Sequence, residues 1–141
     1  MEFVFKNGYN IENLKKEKKI IYFDIDNTLS STTGFESKNN NEQYWKDRKI
    51  KLNIFLKENN IKSLDLLDFS TPEANCLGLF LRLLKETGAK AVCVSSWATS
   101  LRIRSGDNIN PVDLLDNIFK NNYEYWEKGL IVGLKNFSGD R

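Results

Sequence analysis

The sequence predicts an α/β fold built on a parallel sheet, and three observations carry that prediction. "KKIIYFD" and "KAVCV" are short apolar runs without alternation, the pattern of strands covered on both faces. Between them, "STPEANCLGLFLRLLKETG" spaces its apolar residues at a helical period, so strand, helix and strand follow in order. "GLIVGL" then supplies a third strand after a further helical segment.

Each element has a local cause. "EFVFKNGYNI" alternates around Asn7-Gly8, a dipeptide that tolerates positive φ at both turn centres, and predicts a short hairpin. Lys15, Lys16, Lys18 and Lys19 read as a solvated connector into the first buried strand, with a local polyanion patch as the alternative. Residues 30–69 turn polar, most so at "SKNNNEQ", and are expected to form a small insertion covering that strand. Trp45, Ile50, Ile54 and Leu56 mark an amphipathic helix within it.

Next, Ser70 or Thr71 can cap a helix, Pro72 suits its first turn, and Gly88 ends it. Leu77, Phe80, Leu81 and Leu84 form its inward stripe. The following strand closes on Ser95 and Ser96, and the order implies a right-handed parallel crossover. Asn110-Pro111 opens another helix through about Asn121, with Val112, Leu115, Ile118 and Phe119 inward.

Bulk properties bound the function. A chain of 141 residues suits one domain, 1–141, and 40% apolar with 28% charged residues is globular composition. Twenty-one basic against 19 acidic residues leave a net charge of +2, which gives no overall case for nucleic-acid or membrane binding. Cys76 and Cys93 sit in apolar runs as small hydrophobes, and no signal peptide or span of transmembrane length is evident; the expected location is cytoplasmic. Histidine is absent, which removes imidazole bases and serine–histidine triads and leaves acid–base chemistry to carboxylates.

The leading candidates among those carboxylates are Asp24 and Asp26, which follow "IIYF" directly. Ligands of parallel α/β sheets bind beyond the carboxyl ends of the strands, where these acids and the Ser95–Ser96 pair would meet. Two acids desolvated together repel, and a cation is the simplest compensation; oxygen ligands favour Mg²⁺, completed by substrate phosphate. Asp24 is then a candidate nucleophile on phosphorus and Asp26 a candidate acid–base. Ser95, with Ser96 and loop N–H groups, would bind phosphoryl oxygens, while Thr28 is better suited to fixing the loop. The alternative is that these acids are ordinary turn and cap residues.

"IIYFDIDNTL" resembles the first motif of the haloacid dehalogenase-like (HAD) superfamily, and "AVCVSS" resembles its second. The second acid, Asp26, is similar to the phosphatase and phosphotransferase branch. "FSTPEANCLGLFLRLLKETGAKAVCVSSW" is similar to small HAD domains associated with RNA-repair proteins. The resemblance implies a Rossmannoid parallel sheet with helices on both faces and a Mg²⁺-dependent phosphohydrolase working through an aspartyl phosphate. Asp24 and Asp26 would hold the metal, and the substrate would be a phosphorylated small molecule or a nucleic-acid end. A noncatalytic HAD-like binding or regulatory module is the alternative.

Two departures bear on this. Ala98 stands where that subgroup has arginine after tryptophan, so the contact is either lost or shifted to Arg102 or Arg104. The family's third-motif lysine has only Lys128 and Lys135 as candidates by type, and Asp140 is a poor fourth-motif acid, which suggests a C-terminally incomplete domain. The strand that would flank "IIYF" in the family is then missing, and an open apolar edge calls for a cover. The amino-terminal "EFVF" segment, a second copy of the chain in a homo-oligomer, and downstream residues are the candidates. Tyr44, Trp45, Tyr123, Tyr125 and Trp126 pack in the core or against a partner, or else stack bases.

Overall fold

The computed structural model describes residues 3–25, 28–29, 42–61 and 74–136. Four strands and five helices follow in the order β1 (Val4–Phe5), α1 (Ile11–Lys16), β2 (Ile20–Phe23), α2 (Glu42–Glu58), α3 (Ala74–Thr87), β3 (Lys90–Val94), α4 (Trp97–Ser105), α5 (Pro111–Asn122) and β4 (Ile131–Lys135). The class is α/β, as expected. The sheet, however, is mixed: its order is β1-β4-β3-β2, with β2–β3 and β3–β4 parallel but β1 antiparallel to β4.

The expected amino-terminal hairpin does not form. The chain does turn at Asn7-Gly8, where Gly8 takes φ +81°. Beyond the turn Asn10 and Asn13 exchange side-chain-to-backbone hydrogen bonds of 2.8 and 3.0 Å, a capping box that starts α1 where a return strand was expected. Val4–Phe5 of "EFVF" therefore cover the β4 edge and not the edge of "IIYF", and among the described residues β2 stands at the end of the sheet. Lys15 and Lys16 lie exposed in the last turn of α1, and Lys18 and Lys19 are exposed beyond it, in keeping with the solvated reading.

The two faces of the sheet are unequally clothed. On one, Phe23, Ala91 and Cys93 join Leu77, Phe80, Leu81 and Leu84 of α3, Ala98 and Leu101 of α4, and Val112, Leu115, Ile118 and Phe119 of α5 in a single core. The inward stripes expected for α3 and α5 are thus all buried. On the other face Val92 and Val132 meet Leu14 of α1, with Phe3, Phe5, Tyr9, Ile20 and Val94 packed around them. Among the described residues α1 is the only helix in that second cluster.

Two helices differ from expectation. In α2 the inward residue is Phe55, with Leu52 and Leu56 partly buried, while Ile50 and Ile54 are 61% and 53% exposed, so the apolar stripe is rotated from the one expected. The side chain of Trp45 lies outside the described residues, as do Ser70, Thr71 and Pro72. Helix α4 was not expected as an element of its own. Its signal was short: Trp97, Leu101 and Ser105, each one turn apart, are buried on one side.

The stretch after α5 is pinned by a buried carboxylate. Asp116, 3% exposed, accepts hydrogen bonds from Trp126 Nε1 and from the Gly129 backbone N–H, both at 3.1 Å, and so holds the segment leading into β4. Trp126 packs edge-on to Phe119, with ring centroids 5.0 Å apart. Tyr123 closes over Gly78, where an added Cβ would lie 3.4 Å from its hydroxyl. Trp126 is buried and Tyr123 partly buried against the core, in keeping with packing, whereas Tyr125 is 70% exposed. No helix among the described residues is long and apolar enough to cross a membrane.

Candidate active site

Strands β2, β3 and β4 run in parallel and deliver their carboxyl ends to one edge. Phe23 pairs with Cys93. Asp24, the next residue, thus stands opposite Val94 at ~5 Å strand spacing, and Ser95 follows one residue later at the carboxyl end of the adjacent strand. Asp24 is half-buried and accepts a 2.7 Å hydrogen bond from the Ile25 N–H through Oδ1. Burial, and then the charge of Asp24, push the Cys93 thiol far above its usual range, so that cysteine is an inert core group and no nucleophile.

The residue between the two acids explains their spacing. Ile25 is fully buried, and its carbonyl accepts from the N–H groups of Thr28 and Leu29 at 3.1 and 2.9 Å. Leu29 is itself buried at 5% exposure. An apolar anchor thus draws the loop back onto the core immediately after Asp24. Thr28 contributes through its backbone and is exposed, which fits a role in fixing the loop. Asp26 lies outside the described residues.

On the neighbouring strand end Ser95 is fully buried, and its Oγ accepts from Trp97 N–H, the first residue of α4, at 3.1 Å. Its hydroxyl proton remains a donor in chemical terms, since an acceptor bond at oxygen leaves the O–H in place. Ser96 is exposed and makes no side-chain cap bond. The N-terminus of α4 therefore opens on the same edge as Asp24, the end of a helix that favours anions.

The cations expected nearby are placed otherwise. Lys135 ends β4 on this edge, and its backbone carbonyl accepts from Ser95 N–H at 3.1 Å. Its ammonium lies 5.5 Å from the centroid of the Phe3 ring, on the second face of the sheet. Ala98 is fully buried, so the position of the subgroup's arginine faces the core here. Arg104 lies seven residues along α4, ~10 Å from its start, and lines a separate 620 Å³ cleft with Lys57, Asn60 and Asn108. Arg104 does not replace an arginine beside Ser95.

As a cation site, the donors of this edge are hard oxygens, the type suited to Mg²⁺. Among the described residues no group of three or more His, Cys, Asp or Glu side chains converges. No protein-family model, curated protein or solved structure matches the chain.

Proposed function

We propose that this protein is a Mg²⁺-dependent phosphohydrolase acting on a phosphomonoester, a phosphorylated small molecule or a nucleic-acid end, through an aspartyl-phosphate intermediate. The observation that supports this reading is that Asp24 and Ser95 follow the carboxyl ends of neighbouring parallel strands, on the edge where α4 begins. The resemblance of "IIYFDIDNTL" and "AVCVSS" to the first two motifs of the HAD superfamily supports the same reading.

In this scheme Asp24 attacks phosphorus, forming the carboxylate O–P bond as the ester O–P bond breaks, and Asp26 gives its proton to the leaving oxygen. Water then attacks the aspartyl phosphate while Asp26 takes a proton back, and Asp24 and inorganic phosphate are regenerated. Ser95 and the N–H groups of α4 orient the phosphoryl oxygens. Asp24 and Asp26 would hold Mg²⁺, which when bound neutralises charge on the phosphoryl group. The test is Mg²⁺-dependent phosphate release from an aryl phosphate such as 4-nitrophenyl phosphate. Wild type is expected to turn over and Asp24→Asn to lose about 10³-fold or more; activity that survives the substitution rejects the assignment.

The direction of Lys135 favours a second reading, a noncatalytic HAD-like module that binds a phosphorylated ligand, because a cation beside Asp24 is the part least accounted for. Calorimetry with Mg²⁺ and a phosphate mimic separates the two. Ternary binding without turnover supports the module, and turnover abolished by Asp24→Asn supports the enzyme.

A further inference from the structure

Among the described residues no strand flanks β2 on its outer side, and that end of the sheet carries a self-complementary pattern. The Lys19 carbonyl accepts from Lys90 N–H at 3.1 Å, so Lys19, Ile21 and Phe23 direct their backbone polar groups into β3. By alternation Ile20 and Tyr22 direct theirs outward, at the edge. Tyr22 is 58% exposed, although its neighbours on the sheet, Ile20, Val92 and Val94, are partly or wholly covered. The strand is flanked by exposed Lys18 and Lys19 at its start and by Asp24 at its end.

We propose that a second copy of this chain pairs antiparallel along β2, about a two-fold axis through Ile21, setting Lys18 of each copy opposite Asp24 of the other. A two-fold axis normal to the sheet keeps each face continuous, so only residues of equal parity can stand opposite one another. Centring on Ile21 pairs Ile20 with Tyr22 and Lys18 with Asp24, in each case twice. Ile20 and Tyr22 belong to the outward set that exchanges hydrogen bonds in an antiparallel ladder, and Lys18 and Asp24 flank the strand on either side. Centring on Tyr22 would set Ile20 against the Asp24 carboxylate, and that mismatch selects the first register. The described strands of the two sheets become one sheet of eight, with each Asp24 beside the Lys18 of the other copy. The pairing holds whether or not Asp24 attacks phosphorus, and its test does not use activity.

Sedimentation velocity at micromolar concentration is expected to give a dimer. Tyr22→Pro removes an outward N–H and spares the β2–β3 ladder, a place where an edge strand accepts proline. It should give monomers with an unchanged circular dichroism spectrum. Lys18→Glu should weaken dimerisation by about tenfold or more, and Lys18→Glu combined with Asp24→Lys should restore it. A wild-type monomer overturns the proposal and leaves Lys18 and Lys19 as guards of a solitary edge. A dimer that survives Tyr22→Pro overturns it too, since the contact then lies elsewhere. If Tyr22→Pro unfolds the chain, the Lys18 and Asp24 charge exchange decides alone: no loss with the single change, or no recovery with the double, is a negative result.

Discussion

Ile25 has the most leverage of any single residue at the site, because it stands between two acids and is fully buried. Truncating it to alanine removes apolar contacts and loosens the loop that starts at Asp24. Ile25→Ala is expected to cost about 2–4 kcal/mol in chemical denaturation and to lower the proposed phosphatase activity further than the loss of folded protein explains. Asp116 sets a second prediction. Its burial pushes the carboxyl up to about 6, against the pull of hydrogen bonds from Trp126 and Gly129, with Asp113 adding to the rise and Lys128 opposing it. The folded state then binds more protons than the unfolded state between pH ~4 and ~6, so stability is greatest below that window and falls as pH rises through it. The loss should be about 3 kcal/mol at most. Asp116→Asn should flatten the profile of unfolding free energy against pH in that window, and an unchanged slope would assign the titration to another group.

Among the elements, α5 is fastened at its start by one side chain with two duties. Asn110 Oδ1 accepts from Val112 N–H at 2.8 Å, and its Nδ2 donates to the Phe5 carbonyl at 2.9 Å and to Asn7 Oδ1 at 3.2 Å. It therefore caps α5 and ties it to β1 and the following turn. Asn110→Ala should cost about 1–3 kcal/mol, and Asn110→Asp, which keeps the cap but not the donor, should cost less; equal losses would show that the cap contributes nothing and the tie to β1 carries the whole effect. The cap of α5 was legible because Asn-Pro before an apolar stripe has a local physical cause. The stripe of α2 was not: Ile50 and Ile54 are as apolar as Phe55, and only the neighbouring elements decide which of them is covered. The hairpin failed for a related reason. Asn7-Gly8 specifies a turn, but the choice of helix over strand beyond it was made by the Asn10–Asn13 capping box, a weaker signal in the chain.

At the scale of the molecule, the three parallel strands were readable from continuous apolar runs, and the placement of Asp24 and Ser95 at their carboxyl ends followed from topology. The antiparallel β1 was not readable, since a two-residue strand has too little pattern to name its partner. The same limit hid where Lys135 points: sequence puts it at the end of β4, whereas its ammonium settles over Phe3, a residue contributed by the far end of the chain. Among the described residues β2 is the edge of the sheet, and Asp24 at its end with lysines at its start links the proposed chemistry to the proposed pairing. The central claim is that Asp24 is the nucleophile, and mass spectrometry of acid-quenched turnover tests it most directly. A Mg²⁺-dependent phosphoryl group on the peptide carrying Asp24, absent from Asp24→Asn, is the predicted result. Phosphate release at the wild-type rate with no phosphoryl group at Asp24 would contradict it.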